Sequence, residues 1–506
     1  MAVTGPRVQR LAGIGTDLLC IPAGGVLPVA FAPFGHAPLA LLSLVLLLHL
    51  WGPVSAPRGA WRGWLYGLGV FGVGVSWIQV SVHQFGLPVL AFSVSATLVF
   101  VMILALYPAL CGYLLNRFFP NPDRIRVLFA FPALWTLIEW LRGWLFTGFP
   151  WLNLGYSQID TPLSGWAPIA GVYGLSLAVA GSAGLIYWWW FNRRRTAPLA
   201  VLALVWGLGW GCARIAWTEA DGEVLKVGLV QGNIAQSLKW APEQRAATIK
   251  TYFDLSAPHW GEDLIVWPET AIPELYSEQA DYIEALQDQA VARNTDLLIG
   301  VPLRREGHYF NAVATLGKTR GFYSKRHLVP FGEFIPFEPW LRQLLRFLDI
   351  PMSSFTSGPR RQPLLRLAGR PVGVSICYED AFGEEVIDAL PEAALLINVS
   401  NDAWFGDSIA PHQHLEMARM RALETGRYLL RATNTGVSAV IGPQGAVIAR
   451  APQFEAAALG AEVRGMRGAT PYVRLGNYPT LALACALLLA AWRARRSRHA
   501  RPGPQR

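Results

Sequence analysis

Charge is what this sequence has least of. Only 15% of its 506 residues are charged, against about 25% in soluble globular chains. Hydrophobic residues make up 53% and the mean hydropathy is +0.31, which fits a membrane protein better than a soluble one. Acidic residues are scarcest at the two ends. Residues 1–217 carry 12 Arg against 4 acids, and residues 476–506 carry 6 Arg and no acid. The net charge of +9 therefore sits beside apolar segments, whereas 218–475 holds 25 Lys+Arg against 30 Asp+Glu. That middle part lacks a basic stripe interleaved with aromatics, so no nucleic-acid partner is expected. Metal-ligand spacing is also missing, and no metal or cofactor is expected. His412 and His414, only two apart, read as ordinary site-adjacent or surface residues. Cysteine is rare: Cys20, Cys111, Cys212 and Cys485 lie in apolar runs, which leaves Cys377 alone in the polar part. No internal repeat stands out.

What is abundant is long apolar runs. A membrane helix needs about 20 apolar residues. Seven such stretches precede residue 218, roughly 11–33, 37–54, 62–82, 87–116, 127–147, 164–191 and 197–217, and an eighth lies near 476–492. Gly and Pro interrupt several, so the first two are open to a re-entrant or tilted reading. Arg7/Arg10, Arg58/Arg62, Arg117/Arg124/Arg126, Arg193–Arg195 and Arg493–Arg498 fall in alternate connections, and those around His36, His83 and Tyr156 have no Lys or Arg. Positive loops stay in the cytoplasm, so eight spans put both termini inside and 218–475 outside. The first run reads as a signal peptide or an uncleaved anchor, and the further spans favour the anchor. Glu139 and Arg142, i and i+3 in a membrane segment, are either functional or a pair fixing the helix end.

The expected organisation is thus a transmembrane domain (1–217), a periplasmic domain (218–475), a last transmembrane helix (476–493) and a basic cytoplasmic tail (494–506). Strand patterns at 225–231, 263–267, 297–302, 310–316, 371–376 and 394–399 alternate with helical patterns at 242–256, 278–293 and 412–427. This is an α/β domain with its own core. Three strand ends carry reactive groups. Glu269 follows DLIVW, Lys325 follows the next hairpin, and Cys377 follows Val372, Val374 and Ile376, which alternate as in a half-buried strand. A thiolate can attack an acyl carbonyl, a carboxylate can take and return its proton, and an ammonium with a backbone N–H can stabilise the oxyanion. Spacing alone leaves a buried inert cysteine and a surface Glu and Lys equally open.

WPET at 267–270, KRHLVPFGE at 325–333, CYE at 377–379, NDAWFG at 401–406 and NTG at 434–436 resemble the nitrilase superfamily. Together with the apolar runs and VQGNIAQSLKW at 230–240, they resemble the apolipoprotein N-acyltransferases of the bacterial inner membrane. The resemblance implies a polytopic helical membrane domain of about eight spans plus an α-β-β-α sandwich with a Glu-Lys-Cys triad. It makes Glu269 the general base, Lys325 the oxyanion lysine and Cys377 the nucleophile, supported by Trp240, Glu333, Tyr378 and Glu379. It implies a ping-pong transfer from the sn-1 position of a phospholipid, phosphatidylethanolamine foremost, to the α-amine of a diacylglyceryl apolipoprotein, without metal or cofactor; a monomer in the membrane is expected.

The stretch 331–350 is too apolar for an ordinary exposed loop. It reads either as a helix on the core or as a mobile arm at the lipid interface, with Phe334, Phe337, Trp340 and Phe347 lining substrate access. A membrane-tethered amidase and an inactive lipid-binding scaffold are the competing functions. A reactive low-pKa Cys377 would label quickly with thiol reagents.

Overall fold

The computed structural model describes residues 15–86, 89–192, 195–336 and 354–499. The chain divides into two compact units: residues 1–79, 91–215 and 475–506 form one, and 80–90 with 216–474 form the other.

The first unit is helical. Leu90–Phe118 and Pro162–Phe191 are long and apolar enough to cross a membrane, and Ala56–Gly74 with Ile78–Phe85, bent by 61°, would add a third span. The expected eight spans are not all met by length and composition, because the apolar runs contain breaks that periodicity passes over. Pro38–Leu50 is a 13-residue helix, about 20 Å at 1.5 Å per residue against a core of about 30 Å. Phe131–Arg142 has only 12 residues and follows a π-turn at Arg126–Ala130. Ala197–Cys212 stops at 16. The last helix, Tyr478–His499, runs 22 residues, but its apolar part ends where Arg493, Arg495 and Arg496 begin.

Small residues let these helices approach closely. A Cβ on Gly59 would lie 2.7 Å from the Gly112 carbonyl oxygen, and one on Gly112 would lie 2.3 Å from that of Gly59. Glu139 and Arg142 are both buried and knit the following loop to the helix. Arg142 donates to the Phe149 and Trp151 carbonyls and to Asn153 Oδ1 (2.7 Å). Glu139 accepts from Trp135 Nε1 (2.9 Å) and the Leu154 amide (3.0 Å). These contacts favour the helix-end role.

The second unit is built on two six-stranded sheets. The strands are β1 (Thr218–Gln231), β2 (Leu264–Val266), β3 (Asp296–Arg305), β4 (His308–Leu316), β5 (Gly321–Ser324), β6 (Leu365–Leu367), β7 (Arg370–Ile376), β8 (Leu395–Ser400), β9 (Leu429–Thr433), β10 (Ala439–Ile441), β11 (Val447–Arg450) and β12 (Ala457–Gly468). One sheet has the order β12-β1-β2-β3-β4-β5 and the other β11-β10-β9-β8-β7-β6. β1-β2-β3 and β7-β8-β9 pair in parallel, and the outer strands are antiparallel. The segments that pair in parallel are largely buried and mostly apolar, as at Val227–Leu229, Leu264–Val266 and Leu395–Val399, because both faces are covered. Ile265, Leu297, Ile299 and Val301 pack with Ile249 and Tyr252 of helix Arg245–Leu255 and Ile283 and Leu286 of helix Ala280–Ala292. Leu396, Leu429 and Ile441 pack with Leu415, Ala418 and Ala422 of helix Ala410–Thr425. Contacts such as Met466 N–H to the Ala394 carbonyl (2.9 Å) join the inner faces. This is the expected layered α-β-β-α arrangement. Residues 80–90 belong to this unit: Ser81 Oγ donates to the Trp404 carbonyl (2.6 Å), and the Phe85 and Trp404 rings meet edge-on at 4.7 Å.

Candidate active site

Strand ends bring Glu269, Lys325 and Cys377 together. β2 delivers Trp267-Pro268-Glu269, after which Thr270 turns with φ +49°. The turn lies directly on β3, where a Cβ on Gly300 would stand 2.2 Å from the Pro268 carbonyl oxygen and 2.4 Å from the Thr270 nitrogen. Only glycine leaves that room. Asn311, on β4, donates to Glu269 Oε1 (2.7 Å) and to Glu333 Oε1 (2.8 Å), so one amide orients two buried carboxylates.

Lys325 follows β5 and its backbone N–H donates to the Asn311 carbonyl (2.8 Å). Its ammonium, 1% exposed, lies 2.9 Å from Glu333 Oε2 and 3.6 Å from Glu269 Oε1. Burial works against this charge, but Glu333 and Glu269 outweigh it and hold Lys325 well above the ordinary lysine range. Glu333 is itself fixed by the Val329 amide (2.8 Å).

Cys377 ends β7 with φ +54° and opens a 3-10 turn, Cys377–Ala381. A positive φ at a non-glycine residue costs of order 1–3 kcal/mol and persists where surroundings over-determine it. Here Asn398 Nδ2 donates to the Cys377 carbonyl (3.0 Å). Burial pushes the Cys377 thiol up, and the Glu269 carboxylate adds to the shift against the opposing charge of Lys325. Burial and Glu269 thus favour the thiol over the thiolate, which runs against the low-pKa cysteine expected for rapid labelling.

Glu379 ties the lysine and cysteine segments together. Its carboxylate accepts from the amides of Ile376 (2.7 Å), Arg326 (2.7 Å) and His327 (3.1 Å) and from Tyr323 OH (3.1 Å). Burial raises it, and those donors oppose the rise. Tyr378 is buried, its ring 5.3 Å from His327 and 5.0 Å from Phe382. Trp240 is 37% exposed; the buried neighbour is Lys239, whose Nζ donates to the Glu269 carbonyl (3.0 Å). Phe334 is half-buried and bridges Pro330 and Ser354. Phe337, Trp340 and Phe347 lie outside the described residues.

Two matches cover most of the chain. The apolipoprotein N-acyltransferase N-terminal domain matches residues 23–185 and the carbon-nitrogen hydrolase domain residues 226–472. The apolipoprotein N-acyltransferase of Methylococcus capsulatus is 48% identical over 488 residues, 96% of this chain and 97% of that one. The chain belongs to the apolipoprotein N-acyltransferase family. The Azotobacter vinelandii and Vibrio cholerae apolipoprotein N-acyltransferases are each 45% identical, covering 96% and 94% of this chain and 97% and 96% of their own.

In this chain the motifs NDAWFG and NTG have structural tasks. Asn434 accepts from the Ile234 amide (2.9 Å) and donates to the Ile234 carbonyl (2.7 Å) and Asn401 Oδ1 (3.0 Å), while Asn401 donates to Gln236 Oε1 (2.7 Å). Beside Asn398 lies a buried quartet. His414 bridges Asp380 (2.9 Å) and Asp402 (3.0 Å), and Arg431 pairs with the same two at 3.2 and 2.9 Å. Against its burial, the Asp402 carboxyl is held well below the usual range by Arg431 and His414, and despite burial and the Arg431 charge Asp380 and Asp402 raise His414 to about 9. His414 is thus fully buried, not a surface residue. Sequence reasoning missed Lys239, Asn311 and this quartet. The signal for Asn311 was a lone amide inside an apolar strand, FNAVATL.

Proposed function

We propose that this chain transfers an acyl chain from the sn-1 position of a membrane phospholipid to the α-amine of an apolipoprotein's N-terminal diacylglyceryl-cysteine, by ping-pong chemistry through S-acyl-Cys377. The observation that carries the reading is a buried cysteine at the strand end beside a buried carboxylate–ammonium cluster, in a chain 48% identical to an N-acyltransferase along nearly its whole length. Glu269 takes the Cys377 proton as sulfur attacks the ester carbonyl. The tetrahedral oxyanion is met by the Lys325 ammonium and a backbone N–H near Cys377. The C–O ester bond breaks, the Glu269 proton passes to the leaving alkoxide, and lysophospholipid departs. The lipoprotein amine then attacks the thioester, giving a proton to Glu269; the C–S bond breaks and that proton returns to sulfur. Acyl group and protons balance over the cycle.

A buried thiol suits this chemistry, since water reaching the thioester would hydrolyse it. The arginine distribution favours the bacterial inner membrane, with 218–475 periplasmic and both termini cytoplasmic. Phosphatidylethanolamine is the expected donor. The test is the intact mass of the purified full chain after incubation with phosphatidylethanolamine. Wild type is expected to gain one fatty-acyl unit, and Cys377→Ala none. Equal masses in both, together with ammonia release from a small amide, would replace this reading by the amidase.

A further inference from the structure

We infer that Lys239 is a positioning residue for this transfer, one that holds the turn carrying Glu269 and supplies a second positive charge beside the carboxylate that takes the thiol proton. The inference rests on the acyl-transfer reading above. Lys239 closes the short helix Gln236–Lys239 and is 1% exposed. It reaches the site because residues 233–236 are clamped by Asn434 and Asn401, with the Asn233 amide donating to the Asn434 carbonyl (2.8 Å) as well. From there Nζ donates to the Glu269 carbonyl at 3.0 Å, next to the strained Thr270.

A tie to one carbonyl does not by itself require an ammonium. A neutral donor would make it without the cost of burying a charge. The charge has a different explanation in the local balance. Glu269 and Glu333 bring two negative charges, and Lys325, committed to Glu333 at 2.9 Å, brings one positive. Lys239, at the Glu269 turn, is the fourth charged group and offsets the second of these two negative charges. When the proton moves from Cys377 to Glu269 the negative charge moves to sulfur, and the fields of both groups act on Lys239. Burial pulls its ammonium down to about 8, with Glu269 and Cys377 resisting, so it is largely protonated at pH 7.

The experiment is the pH profile of single-turnover Cys377 acylation by phosphatidylethanolamine, read by intact mass on the full chain in detergent micelles. Glu269 faces Lys325, Lys239, Asn311 and Cys377, and only Lys239 is changed. Lys239→Gln keeps a donor for the Glu269 carbonyl and removes the charge; Lys239→Arg keeps the charge. A nearby cation favours an ionised carboxylate. In Lys239→Gln the acidic limb is therefore expected to move toward higher pH, whereas Lys239→Arg keeps the wild-type limb. A purely structural role would lower the rate equally at all pH values and leave the limb in place. An unmoved limb in Lys239→Gln, or a limb in Lys239→Arg displaced like that of Gln, overturns the inference. Absence of any acyl adduct in wild type overturns the acyl-transfer reading instead, and this inference with it.

Discussion

Replacing Asn311 by Leu removes one amide and leaves two buried carboxylates short of a donor. The side chains share the same branching, so Leu occupies the same directions while losing the donor; its greater bulk adds to the cost. Nδ2 donates at 2.7 Å to Glu269 and at 2.8 Å to Glu333. Hydrogen bonds to charged groups contribute about 1.5–3 kcal/mol each, which puts the total near 3–6 kcal/mol. For a unit of this size each kcal/mol moves the melting midpoint by about 2–4 °C, so the full chain in micelles is expected to melt at least about 6 °C lower. The Glu269 bond alone, if it holds the base in place for proton transfer, corresponds to a roughly 10- to 150-fold slower acylation. Differential scanning fluorimetry and single-turnover intact mass measure the two quantities on one preparation. The double variant Asn311→Leu/Glu333→Gln should be less damaged than the sum of the singles, because the two sites share a bond. Melting within about 2 °C of wild type, with acylation within about twofold, would refute the claim that one amide orients both carboxylates.

Gly300→Ala places a methyl 2.2 Å from the Pro268 carbonyl oxygen, so the Glu269 turn must lift. Acylation is expected to fall more than about 100-fold, on the scale of a 1 Å misplacement, and near-normal turnover in vesicles would show that the turn is looser than its contacts. Stability should decline as pH rises from 6.5 toward 9. The folded state keeps the His414 proton up to about 9, whereas the unfolded chain sheds it near 6.5. Lys239 acts in the opposite sense, but only above about 8. Melting midpoints that rise between pH 6.5 and 8 would contradict a charged His414.

The sequence shows strands most clearly where apolar residues alternate or run together, and β2, β3, β4, β7 and β8 all do. β9 was missed because LLRAT carries Arg431, and a strand pattern with a charge at its centre reads as exposed until Asp380 and Asp402 are seen beside it. β12 was missed because AALGAEVRGMRG is rich in small residues and pairs antiparallel with β1. The three strand-end groups stood out by chemistry and position, but only the family resemblance singled them out from a buried cysteine and a surface Glu and Lys. Lys239 was not, since a lysine beside a tryptophan is ordinarily a solvated neighbour, and its burial depends on Asn401 and Asn434, some 160 to 200 residues away in sequence. The span count is met only in part for a related reason: hydropathy measures how long a run is apolar, whereas the length test counts only runs that remain one helix.

The depth and protonation of Cys377 have a consequence for durability. Oxidants such as hydrogen peroxide react with thiolates, and the path through sulfenic to sulfinic acid ends irreversibly. Cys377, 7% exposed and pushed toward the thiol by burial and Glu269, offers such oxidants little surface and little thiolate. The seat proposed to set its reactivity would then also bear on its survival between turnovers.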